Sequence, residues 1–306
     1  MTENQMRLEI EKLKAQKNIK IFAHNYQNYE VQQVADYVGD SFYLSKLAAE
    51  VDCDQIIFCG VKFMAETAKT LSPDKKVILT VEDALCPMAN MISAQDIIDF
   101  KKEHEDFCVV AYVNTTTQVK AAADVCVTSS VAVDVIDNID AENILFVPDM
   151  NLGNYISEQI EGKNIISWNG YCNVHDRVRK EEVIQKRKEH EGYPVLVHPE
   201  CRKEVLDEAD FVGSTSEIIE YATNSDEKGF IIGTETGVLH TLRNMNPDKE
   251  FELLSPSLIC FNMKKTTLSD VYSAAAGKGG IEIEIEEGLR KNALKSLENM
   301  IRLSGR

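Results

Sequence analysis

Eight cysteines are spread along the 306-residue chain, and three of them, Cys86, Cys172 and Cys260, stand 86 and 88 residues apart. Thiolates are soft ligands, so one from each of three equivalent loops makes a donor set for a single metal centre. Zinc suits such a set, and so does an iron–sulfur cluster. Clusters usually take four cysteines. With three, one iron keeps an open position and can polarise a substrate oxygen or nitrogen as a Lewis acid. That chemistry favours dehydration or condensation over electron transfer. The chain has no Cys-x-x-Cys pair, which disfavours a zinc ribbon or a ferredoxin-like run.

Other polar groups keep the same step. His24, Tyr112 and His198 follow short apolar runs and are separated by 88 and 86 residues, as are Ser41, Ser129 and Thr215. The runs that must position them lie at 19–26, 109–114 and 195–200, with a further layer at 56–60, 144–148 and 230–234. Runs at 77–80, 165–168 and 251–254 then lead each copy to its cysteine. Helical periodicity occupies 31–38, 94–104, 118–123, 177–190 and 216–222. Strands alternating with helices predict an α/β fold with parallel sheets covered on both faces. The expected organisation is three units related by pseudo-threefold repetition, each a parallel sheet sandwiched by helices. They are residues 1–85 with 265–306 (a closing C-terminal helix), 86–172 and 173–264. Ligands of such sheets bind beyond the carboxyl ends of the strands, so the active site is expected at the common interface of the units.

A net charge of −17 excludes nucleic acid and anionic membranes as partners, since phosphate backbones need clustered Lys and Arg. A small anionic substrate is still admissible, held by hydroxyls, imidazoles and helix N-termini. The first 17 residues read as a polar amphipathic helix, without a signal-peptide core. No apolar run approaches the roughly 18 residues of a membrane span. A cytoplasmic protein is the expectation, and there eight cysteines do not imply disulfides. Cys53, Cys108 and Cys126 read as buried small hydrophobes, and packing is the simpler role for Cys59. Cys201 is ambiguous. For Ser41, Ser129 or Thr215 taken singly, helix capping is the plainer role.

The strings His24-Asn25-Tyr26-Gln27, Gly39-Asp40-Ser41, Cys86-Pro87-Met88-Ala89, Ala111-Tyr112-Val113-Asn114-Thr115, Trp168 through His175, His198-Pro199-Glu200-Cys201 and Gly233-Thr234-Glu235 together closely resemble the quinolinate synthase family. The resemblance runs from about residue 20 to Thr267. It implies a triplicated α/β fold with one oxygen-sensitive 4Fe-4S cluster per chain on Cys86, Cys172 and Cys260. It also implies condensation of iminoaspartate with dihydroxyacetone phosphate to quinolinate, phosphate and water, on the route to NAD. L-aspartate oxidase is the implied functional partner. Some members carry a CxxCxxC run at the last ligand. Here the stretch is Cys260-Phe261-Asn262-Met263-Lys264-Lys265-Thr266, so only the ligand cysteine is retained.

Carried over residue by residue, the resemblance places His24, Tyr26, Ser41, Tyr112, Asn114, Ser129, His175, His198, Glu200 and Thr215 around the substrates. Glu200 is the expected principal general acid–base, because burial in a closed cleft raises a carboxyl pKa toward neutrality. Tyr26 is a second proton carrier, and His24 and His198 bind carboxylate or phosphate oxygens and shuttle protons. Ser129 and Thr215 hold substrate carboxylates. Tyr112 and Asn114 fix orientation, and His175 faces substrate or supports the cluster loop. His104, His190 and His240 match no repeated position. Gly277-Lys278-Gly279-Gly280 lacks the GxxxxGK[ST] frame and reads as a flexible connection or a gate. Residues 281–285 read as an edge strand, and 286–302 as an amphipathic helix closing on the first unit. Two competing classes are a dinucleotide-binding protein, disfavoured by the missing GxGxxG, and an iron–sulfur electron carrier, which would want four cysteine ligands.

Overall fold

The computed structural model describes residues 1–305 and contains three β-sheets flanked by helices, the α/β class expected. The strands are β1 (Ile19–His24), β2 (Tyr37–Gly39), β3 (Gln55–Cys59), β4 (Lys76–Leu79), β5 (Phe107–Tyr112), β6 (Val125–Val127), β7 (Asn143–Val147), β8 (Asn164–Ser167), β9 (Val195–Val197), β10 (Phe211–Val212), β11 (Gly229–Gly233), β12 (Glu250–Leu253) and β13 (Ile281–Glu282). The first sheet has the order β13-β4-β3-β1-β2, the second β6-β5-β7-β8 and the third β10-β9-β11-β12. Apart from antiparallel β13, every pairing is parallel. The four-stranded arrangement is therefore the same three times.

By packing, the chain divides into two compact units, Met1–Cys86 with Cys260–Leu294, and Pro87–Ile259 with residues 295–306. In the first, helices Glu3–Lys17 and Leu268–Ala276 bury Ile10, Leu268, Val271 and Ala275 against Ile19, Ile21, Ile57 and Cys59 of β1 and β3. Cys59 is thus core, and burial pushes its thiol pKa far up. The second unit holds the other two sheets; the third packs Leu196, Phe230 and Ile232 beneath helices Thr215–Asn224 and Val238–Met245.

A carboxylate repeated at the same step registers the sheets. Asp36 N–H donates to the Ile21 carbonyl at 2.9 Å while its carboxylate accepts from Ile21 N–H at 2.8 Å. Asp124 does the same to Val109, and Asp210 to Val195. Each is neutralised by a cation, Lys14 at 3.1 Å, Lys101 at 2.7 Å and Arg187 at 2.7 Å respectively. The clamp satisfies an edge N–H and fixes where the second strand of each copy begins. It also explains a departure from the helical reading of 31–38. That stretch breaks into a short helix, Tyr29–Gln32, and the strand Tyr37–Gly39, with Asp36 at the break.

Each cysteine is followed by a single turn of 3₁₀ helix: Pro87–Asn90, His175–Arg177 and Met263–Lys265. The three loops are thus alike in backbone as well as in spacing. Gly277 ends helix Leu268–Ala276 at a φ of 75°, and Lys278 N–H donates back to the Ser273 carbonyl at 2.8 Å. The glycine-rich tract is therefore, at its start, a left-handed helix terminus. Strand β13 lies at the edge of the first sheet, and the last helix runs over Glu287–Ser304. Its second half belongs to the second unit, where Ser296 donates to the Lys120 carbonyl and Asn299 to that of Asp124. None of the eight cysteines is in a disulfide, and no described helix is long and apolar enough to cross a membrane.

Candidate active site

Five of the expected residues meet in the second unit. Strand β9 ends at Val197 and delivers His198 and Glu200, both 3% exposed, while the 3₁₀ turn after Cys172 delivers His175, 1% exposed. His175 Nδ1 lies 2.7 Å from Glu200 Oε2, and its Nε2 is 3.1 Å from Thr234 Oγ1. The imidazoles of His175 and His198 stack, with centroids 4.7 Å apart and an interplanar angle of 18°. Tyr112, at the end of β5, donates its hydroxyl to the Glu200 carboxylate. Cys172, half-buried, presents its sulfur within 4.8 Å of ligand atoms of both His175 and Glu200.

The electrostatics reverse the expected behaviour of Glu200. Burial pushes its carboxyl up, but the neighbouring imidazoles and the Tyr112 hydroxyl outweigh burial and hold it below the usual carboxylate range. Burial drives His198 down to about 3, with His175 adding to the effect and Glu200 opposing it. His198 is then neutral at neutral pH, so ionised Glu200 rests on hydrogen bonds from His175 and Tyr112 rather than on a His198 cation. Glu200 N–H donates to His198 Nδ1 at 3.3 Å, which leaves the proton of the neutral ring on Nε2.

The first unit repeats this local arrangement. His24 ends β1, and Tyr26 N–H donates to its Nδ1 at 3.1 Å; the rings meet edge to face at 4.4 Å. The Tyr26 carbonyl accepts from Lys264 Nζ at 2.6 Å, and Asn28 donates to the carbonyls of Lys264 and Thr266. The loop carrying Tyr26 is thereby tied to the turn that follows half-buried Cys260. Cys86, also half-buried, closes the first stretch of this unit.

The remaining expected residues sit at strand ends. Ser41 and Thr215 open helices Ser41–Glu50 and Thr215–Asn224, but the caps are Asp40 and Ser214, whose side chains accept from Tyr43 and Glu217 N–H. Capping is therefore not what these two hydroxyls do. Ser129 lines a cavity of about 90 Å³ with Tyr155, Pro199, Ser214 and Glu217, room for a carboxylate-sized group. Asn114 holds a buried amide oxygen without a partner. Leaving such an acceptor unpaired costs roughly 1–3 kcal/mol, which makes it a place for a ligand donor.

Two supporting side chains, Asp149 and Thr234, are given no role by the sequence reading. Asp149 is fully buried just beyond β7; its Oδ1 accepts from Asn151 and Leu152 N–H at 2.9 and 3.0 Å, capping helix Met150–Gln159, and its Oδ2 accepts from Cys172 N–H at 3.1 Å. Burial and the charge of Glu200 raise its pKa well above the carboxylate range, against those three donors. Gly170 donates to the Pro148 carbonyl at 3.0 Å and accepts from Met150 N–H at 2.8 Å, and a Cβ there would fall 2.5 Å from the Pro148 oxygen. Thr234 is the other, and it sets the His175 ring. The available signal was positional: Asp149 and Glu235 occupy one repeated strand-end position, which in the first copy is Val61.

The family model described as "NadA: Quinolinate synthetase A protein" matches residues 8–302. The chain belongs to the quinolinate synthase family. A quinolinate synthase of Clostridium perfringens is 51% identical over 300 residues, 98% of this chain and 99% of the relative. One of Caldicellulosiruptor saccharolyticus is 51% identical over 296 residues, covering 97% of both chains, and one of Clostridioides difficile is 47% identical over 296 residues with the same coverage. Full-length identity at this level makes the chain an enzyme of that family, and the buried polar cluster at Glu200 is where its chemistry is sought.

Proposed function

We propose that the chain condenses iminoaspartate with dihydroxyacetone phosphate to quinolinate, phosphate and water, with a 4Fe-4S cluster on Cys86, Cys172 and Cys260. The observation that carries the reading is the buried Glu200, His175, His198 and Tyr112 constellation within reach of Cys172. The donors suit the cluster. All three sulfurs are soft, half-buried and placed before one-turn 3₁₀ helices, and three thiolates leave a coordination position for a ligand. When bound, the cluster supplies a Lewis-acidic iron for carbonyl and hydroxyl oxygens.

The chain's own residues move the protons. Glu200, ionised at neutral pH, acts first as a base at Oε2, taking a proton from a substrate carbon or nitrogen and returning it to a departing hydroxyl. His24 and His198, each accepting a backbone N–H at Nδ1, carry their proton on Nε2 and donate it to carboxylate or phosphate oxygens. The Tyr26 hydroxyl is the second proton carrier. Ser41, Ser129 and Thr215 hold anionic groups, the Asn114 oxygen accepts a substrate N–H or O–H, and Tyr112 keeps Glu200 oriented. The chain fits downstream of L-aspartate oxidase, which would supply the imine.

Anaerobic preparation with iron and sulfide counts, followed by an assay for quinolinate from the two substrates, tests this function. Cys86→Ala, Cys172→Ala and Cys260→Ala should each lose the cluster. Glu200→Gln should retain it and lose turnover by about 10²- to 10⁴-fold, the range for a general acid–base. Full activity in Glu200→Gln removes Glu200 from its role; iron-free wild-type protein removes the cluster.

A further inference from the structure

We infer that the cluster-free chain carries a mononuclear zinc site made of Cys172, His175 and Glu200, distinct in its ligands from the three-cysteine set. The three offer sulfur, imidazole nitrogen and carboxylate oxygen, with all ligand atoms within 4.8 Å of one another. Zinc bound at about 2.0 Å to nitrogen and oxygen and about 2.3 Å to sulfur holds neighbouring ligand atoms about 3.3 to 3.5 Å apart. The Glu200–His175 contact at 2.7 Å must open slightly and the sulfur, within 4.8 Å of both, must close by at most about 1.3 Å, movements within reach of side-chain torsions.

The surroundings are those of a metal site. His175 now directs Nδ1 at Glu200 and Nε2 at Thr234 Oγ1, 3.1 Å away. With zinc on Nδ1, the ring proton moves to Nε2 and is donated to Thr234, the outer hydrogen bond that metal-bound histidines usually make. The Cys172 thiol loses its proton to solvent. Zinc(II), one thiolate and one carboxylate then sum to zero charge, which suits a position where His175 is 1% and Glu200 3% exposed. Tyr112 holds the carboxylate, Asp149 holds the Cys172 backbone at 3.1 Å, and a water completes the tetrahedron. Because Cys172 serves both sets, zinc and cluster exclude one another. Zinc loaded first is a block to cluster assembly.

The test uses full-length, cluster-free protein prepared anaerobically and titrated with zinc against a chromophoric chelator. Cobalt(II) serves as the spectroscopic probe. One equivalent should bind, with thiolate-to-cobalt charge transfer and the strong visible bands of a tetrahedral ion. Cys172→Ala, His175→Gln and Glu200→Gln should each weaken zinc by more than about 100-fold, and Thr234→Val by about 10- to 100-fold, as expected for an outer partner. Circular dichroism on each variant identifies any that fails to fold, and Thr234→Val, the mildest change, then carries the test. Cys86→Ala and Cys260→Ala, which lose the cluster under the proposed function, should bind zinc as wild type does. Unchanged affinity in Cys172→Ala, or affinity that falls equally in Cys86→Ala and Cys260→Ala, overturns the site. Neither result touches the iron and sulfide counts on which the cluster reading stands.

Discussion

Asp149→Asn separates two jobs held by one carboxylate. The wild-type side chain accepts two N–H groups at the start of helix Met150–Gln159 through Oδ1 and the Cys172 N–H through Oδ2. Asparagine has one acceptor, and the two helix donors will claim it, leaving its NH₂ group facing the Cys172 N–H. The helix cap survives, but the bond from the Cys172 N–H is lost and that donor is left facing another donor, a cost of about 1–3 kcal/mol. The expected destabilisation is therefore about 1–3 kcal/mol, concentrated in the Cys172 loop. Asp149→Ala loses the cap as well, a further cost of about 1 kcal/mol. Amide hydrogen exchange of the cluster-free protein reads this directly. In Asp149→Asn the amides of 170–173 should exchange about 10- to 100-fold faster, while those of the helix keep their protection. Iron should also leave the loaded protein faster when challenged with a chelator. Unchanged exchange at Cys172, or equal loss of protection along the helix, would show that Asp149 does not hold the cysteine loop.

Acid should weaken the fold through His198. Its pKa is lowered from 6.5 to about 3 in the folded chain, so the unfolded chain binds the extra proton between those values. Stability is then complete above 6.5 and falls by up to roughly 1.4 kcal/mol per pH unit below it; denaturant melts of wild type and His198→Asn at pH 7 and 5 should differ in slope. Asp124→Ala strands the Val109 N–H and breaks the ion pair with Lys101, which should cost about 1–3 kcal/mol, whereas an exposed control, Asp99→Ala, should leave stability nearly unchanged; comparable losses in both would remove the clamp. Lys264→Met unties the Tyr26 carbonyl and should lower kcat by about 10- to 100-fold with iron content kept, and an unaltered kcat would place Tyr26 under other control.

Much of the architecture was legible because triplication writes itself into spacing. Three cysteines at steps of 86 and 88, with three strand ends and three hydroxyls at steps of 88 and 86, announced equivalent loops, and the 3₁₀ turn after each of the three cysteines is their structural counterpart. Alternating apolar runs marked the sheets for the same reason. The Asp36, Asp124 and Asp210 clamp kept the same step and still went unread, because an aspartate between apolar runs looks like an ordinary loop residue until its hydrogen bonds are seen. Residues 31–38 misled in the opposite way: valines at helical spacing belong to two elements, and the bond from Ile21 N–H to Asp36 breaks them apart.

Sequence alone settled which residue types stand at the strand ends and how often the motif recurs, since both follow from order along the chain. Only the tertiary structure decided the state of those groups. Glu200 is ionised because Tyr112 and His175, distant in sequence, hydrogen-bond its carboxylate; Cys172 is held because Asp149 reaches its amide. A carboxyl group's proton affinity is fixed by charges and donors within a few ångströms, and those neighbours are set by folding, not by the letters beside it.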